Sequence, residues 1–144
     1  MKRETVLKHE FVEYIPNHLK DGMIYVSVTF GTVVHKCCCG CGNEVITPLS
    51  PTDWKLTFNG ESISLYPSIG NWNFDCKSHY WITNNKVEWA KKWSEDKINA
   101  GRGQDSLNKR KYYNKKSLFH NKEINEKDKE SKTNLWSMLK KWWF

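Results

Sequence analysis

Short runs of alternating apolar and polar residues fill the first two-thirds of the chain, the two-residue period of half-buried strands. From Met23 to Phe30, Ile24, Val26, Val28 and Phe30 share one face, while Tyr25, Ser27 and Thr29 share the other. Asn59-Gly60 is a favoured hairpin turn. Closing there sets Leu56 opposite Ile63 and Trp54 opposite Leu65 on an apolar face, with Lys55 opposite Ser64 behind it. A second hairpin turning at Asn84-Asn85 sets Ile82 opposite Val87, Tyr80 opposite Trp89 and Thr83 opposite Lys86. Pro48–Pro51 and Pro67–Asn71 lie between these runs and are rich in loop formers.

Beyond them the period changes. A helix is expected to begin between Val87 and Trp93 and to resume from Asp105 to Lys116. The stretch Asn121–Lys132 holds one aliphatic residue, Ile124, among many charges, and reads as a disordered linker or a solvated helix. Leu135, Trp136, Met138, Leu139, Trp142 and Trp143 then form a helical stripe beside Lys132, Lys140 and Lys141. Such a stripe suits docking on the parent domain, a partner surface, or weak contact with a membrane surface.

Composition narrows the class. In 144 residues only 38% are hydrophobic and the mean hydropathy is -0.76. Nothing approaches the roughly 20 apolar residues of a membrane span. Met1-Lys2-Arg3-Glu4 has no apolar run behind it, so a secretory signal is not expected and the protein reads as soluble and cytoplasmic. Residues 1–94 carry 10 basic and 9 acidic side chains, against 13 and 7 in residues 95–144, so the +7 net charge belongs mostly to the last third.

Chemistry concentrates in His35-Lys36-Cys37-Cys38-Cys39-Gly40-Cys41-Gly42 and, after a gap, Cys76-Lys77-Ser78-His79. Five cysteines crowded this way make a poor disulfide framework, whereas thiolate and imidazole are the usual ligands of tetrahedral zinc. Cys38-x-x-Cys41 has knuckle spacing. Alternatively Cys37, Cys39 and Cys41 share the parity of an extended segment, as does His35. With Cys76 and His79 the candidates exceed the four that one ion needs. Structural zinc is the expectation. It would staple a small, mainly β fold of antiparallel hairpins followed by a C-terminal helical extension. Residues 1–94 are then a metal-binding β domain, 95–120 a helical extension, 121–133 a polar linker and 134–144 a tryptophan-rich amphipathic helix. An iron–sulfur site using His35 and His79, or a cysteine nucleophile paired with His79, would draw on the same residues. Asp75, beside Cys76, is the preferred carboxylate for orienting a ligand.

Phe11–Pro16, Ile24–Ser27, His35-x-Cys-x-Cys-Gly-Cys-Gly42, Val45–Pro51, Pro67–Trp72 and Cys76-x-Ser-His-Tyr-Trp-Ile82 resemble the bacterial family catalogued as domain of unknown function 6527. The likeness spans about residues 9–93 and extends more loosely to 113. It implies a small metal-site protein, often encoded beside ubiquitin-like modifiers and their activating and conjugating enzymes. It also implies Cys37, Cys39, Cys41, Cys76 and His79 as the metal set, with Cys38 a spare, and suggests that Pro67–Trp72 lines a pocket.

Three functions fit. The first is a zinc-stabilised protein-interaction module, an accessory, adaptor or ligase-like component whose partner is a protein such as a ubiquitin-like conjugation enzyme. The second is a nucleic-acid-binding zinc protein, disfavoured by the near neutrality of residues 1–94. The third is a metal-dependent hydrolase or peptidase, which needs an open metal position and a carboxylate base such as Glu44 or Asp75.

Overall fold

A computed structural model describes residues 2–142 of the chain. The described residues form two four-stranded sheets and one helix. Strands β1 (Lys8–Phe11), β2 (Met23–Ser27), β3 (Thr32–Lys36) and β4 (Glu44–Pro48) lie side by side in chain order. β1 runs parallel to β2 and the other pairs are antiparallel. Strands β5 (Lys55–Phe58), β6 (Ile63–Gly70), β7 (His79–Thr83) and β8 (Lys86–Trp89) form an antiparallel meander. The expectation of a mainly β fold with a helical extension is met.

One buried cluster draws on both sheets. Ile24, Val26, Val33 and Val45 of the first pack with Ile63, Leu65, Ile69, Tyr80, Ile82 and Val87 of the second. A smaller cluster, Leu19, Tyr25 and Val34 with Val12 and Ile15, covers the other face of the first sheet. Both faces of β2 are therefore buried, which is why Tyr25 and Ser27 lie inside despite the alternating pattern.

β2 stops earlier than its alternation suggests. The Ser27 hydroxyl donates to the Glu13 carbonyl (2.7 Å) and accepts from the Phe30 amide (3.3 Å), and Gly31 closes the turn at φ 56°. Val28 and Phe30, expected to continue the strand face of Ile24 and Val26, are 70% and 58% exposed as a result.

The hairpin at Asn84-Asn85 has the expected register, with Ile82 opposite Val87 and Tyr80 opposite Trp89. Both turn residues take positive φ, 49° and 62°, as a tight two-residue turn requires. At Asn59-Gly60 the register is displaced by two: Leu56 faces Leu65 and Phe58 faces Ile63. The Asn59 carboxamide oxygen accepts from the amides of Glu61 and Ser62, which widens the loop to four residues. An even displacement keeps each side chain on its expected face, so the core is unchanged.

The N-terminal segment joins both sheets. Leu7 donates to the Asn85 carbonyl and Val87 donates to the Thr5 carbonyl, each at 2.8 Å, along the outer edge of β8. From Lys8, the residue after Leu7, the same segment is β1 on the edge of the first sheet.

Helix α1 spans Glu95–Trp142. It does not begin between Val87 and Trp93, because residues 86–89 are taken up by pairing with β7. Ser94 caps it, its hydroxyl accepting from the Lys97 amide, and Glu95 and Asp96 place negative charge where the helix dipole favours it. The stretch 121–133 lies within this helix rather than between two. Leu135, Trp136 and Met138 are exposed, and the rest of the tryptophan stripe lies outside the residues whose side chains are described. Among the described residues no helix is long and apolar enough to cross a membrane. The chain divides into two compact units, residues 1–98 and 99–144.

Candidate metal centre and serine–histidine pair

Between β3 and β4 the chain folds into a tight knuckle. The Cys37 amide donates to the Asn43 carbonyl (2.8 Å) and the Gly40 amide to the Cys37 carbonyl (3.1 Å). Gly40 and Gly42 take φ of 86° and 82°, conformations that a side chain would resist. The turn aims the sulfurs of Cys37, Cys39 and Cys41 at Cys76, which precedes β7 in the second sheet. All four sulfurs lie within 4.8 Å of one another. The separations are 3.4 Å for Cys37–Cys39, 3.9 Å for Cys37–Cys76 and 3.8 Å for Cys41–Cys76. Four sulfurs held tetrahedrally at about 2.3 Å from zinc would stand about 3.8 Å apart, so the donors and their spacing fit. The Cys41 amide (3.4 Å, to Cys39) and the Asn43 carboxamide (3.2 Å, to Cys41) donate to sulfur, as suits thiolates. This is a four-cysteine cluster capable of coordinating a metal ion.

Burial pushes the Cys37 and Cys39 thiols upward. Burial pushes Cys41 the same way, but hydrogen bonds from Asn43, Cys39, Cys37 and Cys76 outweigh it and bring the thiol to about 7. Cys38 turns into the core instead, fully buried, and burial raises it to about 12. His35 is likewise buried, with Nε2 2.8 Å from the Tyr80 hydroxyl, and burial lowers it to about 4. Neither belongs to the four-sulfur group.

The structure also leaves His79 outside that group. Its Nε2 lies 2.9 Å from the Ser68 hydroxyl. Sheet register produces this meeting. Gly70 of β6 pairs with His79 of β7, and Ser68, two residues before Gly70, projects from the same face. A register shift between Leu65 and Ile69 bends β6 just where Ser68 lies, as bulges do when they re-aim a side chain. Asn71 ties the two segments together. Its amide donates to the Ser78 carbonyl (2.8 Å) and its carboxamide to the Ser78 hydroxyl (2.9 Å). Burial, assisted by the positive charge of Lys97, lowers the His79 pKa below its ordinary 6.5 and keeps the ring neutral. A neutral imidazole facing a hydroxyl at this distance can act as its general base.

Ser68 is the residue that the sequence did not single out. Pro67–Trp72 stood out only as a turn-rich, pocket-lining segment, and no motif marks its serine as a nucleophile. His79 could be read as a base, but its partner depends on the pairing of β6 with β7.

Residues 11–90, more than half of the chain, match the family model described as bacterial ubiquitination-like system serine protease (BubE). No curated protein and no solved structure matches significantly. The match overturns the resemblance to domain of unknown function 6527: the motifs that carried it fall almost wholly within residues 11–90, and the family they identify is another. A link to a bacterial ubiquitin-like system stands, while the family's description points to hydrolysis rather than to an adaptor. By this match the chain belongs to the family of bacterial ubiquitination-like system serine proteases.

Proposed function

We propose that the protein is a serine protease of a bacterial ubiquitination-like system, with Ser68 as nucleophile and His79 as general base. The 2.9 Å approach of His79 Nε2 to the Ser68 hydroxyl carries this reading, and among the described residues Ser68 is the serine that a histidine faces. The Ser68 oxygen attacks the carbonyl carbon of a substrate amide while its proton passes to Nε2. The tetrahedral intermediate collapses, the C–N bond breaks, and the amine leaves with that proton. Water then attacks the acyl-Ser68 ester. His79 takes a proton from the water and returns it to the serine oxygen as the acid departs.

Cys37, Cys39, Cys41 and Cys76 would hold a structural zinc. Four sulfur ligands fill a tetrahedral ion and leave no position for substrate, so the metal-dependent form of hydrolysis is not the one proposed. Thiolates kept for metal suit a reducing, cytoplasmic setting. The substrate or partner is a protein of the same system. An adaptor or ligase-like role has no residue pair comparable to Ser68–His79 to support it.

The test is reaction of the full chain with a fluorophosphonate probe, with the adduct mapped by mass spectrometry. The expected label is on Ser68, lost in Ser68→Ala and reduced at least a hundredfold in His79→Ala. A folded wild-type chain that takes no label on Ser68 would refute the proposal.

A further inference from the structure

A catalytic imidazole is ordinarily steadied through its second ring nitrogen, most often by an acidic residue. In this protein Nδ1 of His79 is buried and, among the described residues, has no hydrogen-bond partner. What surrounds the ring is aromatic. Trp93 lies 4.7 Å away edge-on at 79°, Trp72 lies 4.9 Å away at 62°, and Trp81 lies 5.3 Å away at a tilt of 36°. Trp72 and Trp93 are also stacked on each other, 5.6 Å apart at 22°, so two walls of the enclosure brace one another.

The local sequence builds this enclosure piece by piece. Trp81 follows His79 by two residues in β7 and leaves the sheet on the same side. Trp72 can fold back because residue 70 is glycine: a Cβ there would come within 2.4 Å of its indole. Trp93 arrives from the segment after β8, and the Lys97 ammonium one turn into α1 sits 4.6 Å over its ring. A ring walled on three sides loses the torsional freedom that a hydrogen bond to a carboxylate would otherwise remove.

We infer that Trp72 and Trp93 are positioning residues for His79, an aromatic clamp that holds the imidazole toward Ser68 in place of an acidic third member. The inference rests on the reading of Ser68 and His79 as the reactive pair. It assigns the tryptophans no contact with reacting atoms, so their loss slows the chemical step and leaves probe binding alone.

Fluorophosphonate labelling of the full chain, resolved into the binding constant KI and the limiting rate kinact, tests it. In Trp93→Ala the expected kinact falls about a hundredfold, the scale of loss from a misplaced catalytic group, while KI stays within about twofold. Trp93→Phe, which restores an aromatic wall, is expected to recover most of that rate. Nitrogen-15 spectra of the His79 ring supply a second readout, a single tautomer in the wild type and an averaged pair in Trp93→Ala. If Trp72→Ala does not fold, Trp93→Ala and its phenylalanine counterpart still decide the matter. Wild-type kinact and an unchanged His79 spectrum in a folded Trp93→Ala, with Ser68→Ala inert, would overturn the clamp and leave the reactive pair standing. Undiminished labelling of Ser68→Ala would instead overturn the pair.

Discussion

At the scale of single residues, much depends on an atom that is missing. Gly70 leaves room for the Trp72 indole, whose Cε2, Nε1 and Cζ2 would stand 2.4, 2.5 and 2.7 Å from an added Cβ. Gly70→Ala is therefore expected to displace Trp72 from His79, destabilise the fold by about 1–3 kcal/mol, and slow labelling of Ser68. Thermal melts and labelling rates on the same preparation check both effects, and an alanine variant with wild-type values in each would refute the packing argument. Neither this glycine nor Ser68 was legible in the sequence. Glycine in a loop has many uses, and serine becomes a nucleophile only through its neighbour. The cysteines were more legible, because thiol chemistry narrows the uses of a crowded cluster. The choice between Cys38 and the same-parity set of Cys37, Cys39 and Cys41 still needed the knuckle, which brings those three sulfurs to Cys76 and leaves Cys38 in the core.

At the scale of elements, the two hairpins differ in how they could be read. Asn84-Asn85 fixes its register because the backbone of a two-residue turn permits no other closure. The Asn59-Gly60 register slipped because the Asn59 side chain supplies a competing set of hydrogen bonds that pattern alone does not weigh. Asn85 combines several roles: φ of 62°, a carboxamide oxygen accepting from Ile63 (2.8 Å), and a carboxamide nitrogen 2.9 Å from His9 Nδ1. Asn85→Ala would lose both contacts and strain the turn, an expected loss of about 2–4 kcal/mol in denaturant unfolding. A loss below about 1 kcal/mol would mean the turn is held elsewhere. Helix α1 was partly legible. Its stripe and charges predicted helix at the end, but the charged middle lacks the apolar period that would have joined the pieces.

At the scale of the whole molecule, the cysteine cluster and the serine–histidine pair share one short segment. Cys76 and His79 are three residues apart, and the other sulfurs come from the first sheet. A bound metal would thus link the two sheets at the point from which His79 is presented. Chelation with a strong zinc-binding agent is expected to lower the melting temperature and abolish labelling of Ser68, with both restored by added zinc. Ser68→Ala should keep its metal and its melting temperature. Labelling that persists in metal-depleted protein would show the two sites to be independent. Neither sheet's contribution to this arrangement could be deduced from spacing, since the gap between Cys41 and Cys76 holds three strands whose pairing decides where Cys76 arrives.

The strap formed by residues 5–11 has a consequence for biosynthesis. Thr5 and Leu7 bond to residues 85 and 87, so the first part of the domain to leave the ribosome waits for nearly the last. Contacts that distant in the chain are slow to form. The β domain can close only after β8 has emerged, while the 48 residues of α1 are still being added. Until then the unpaired rims of both sheets stay open to other nascent chains.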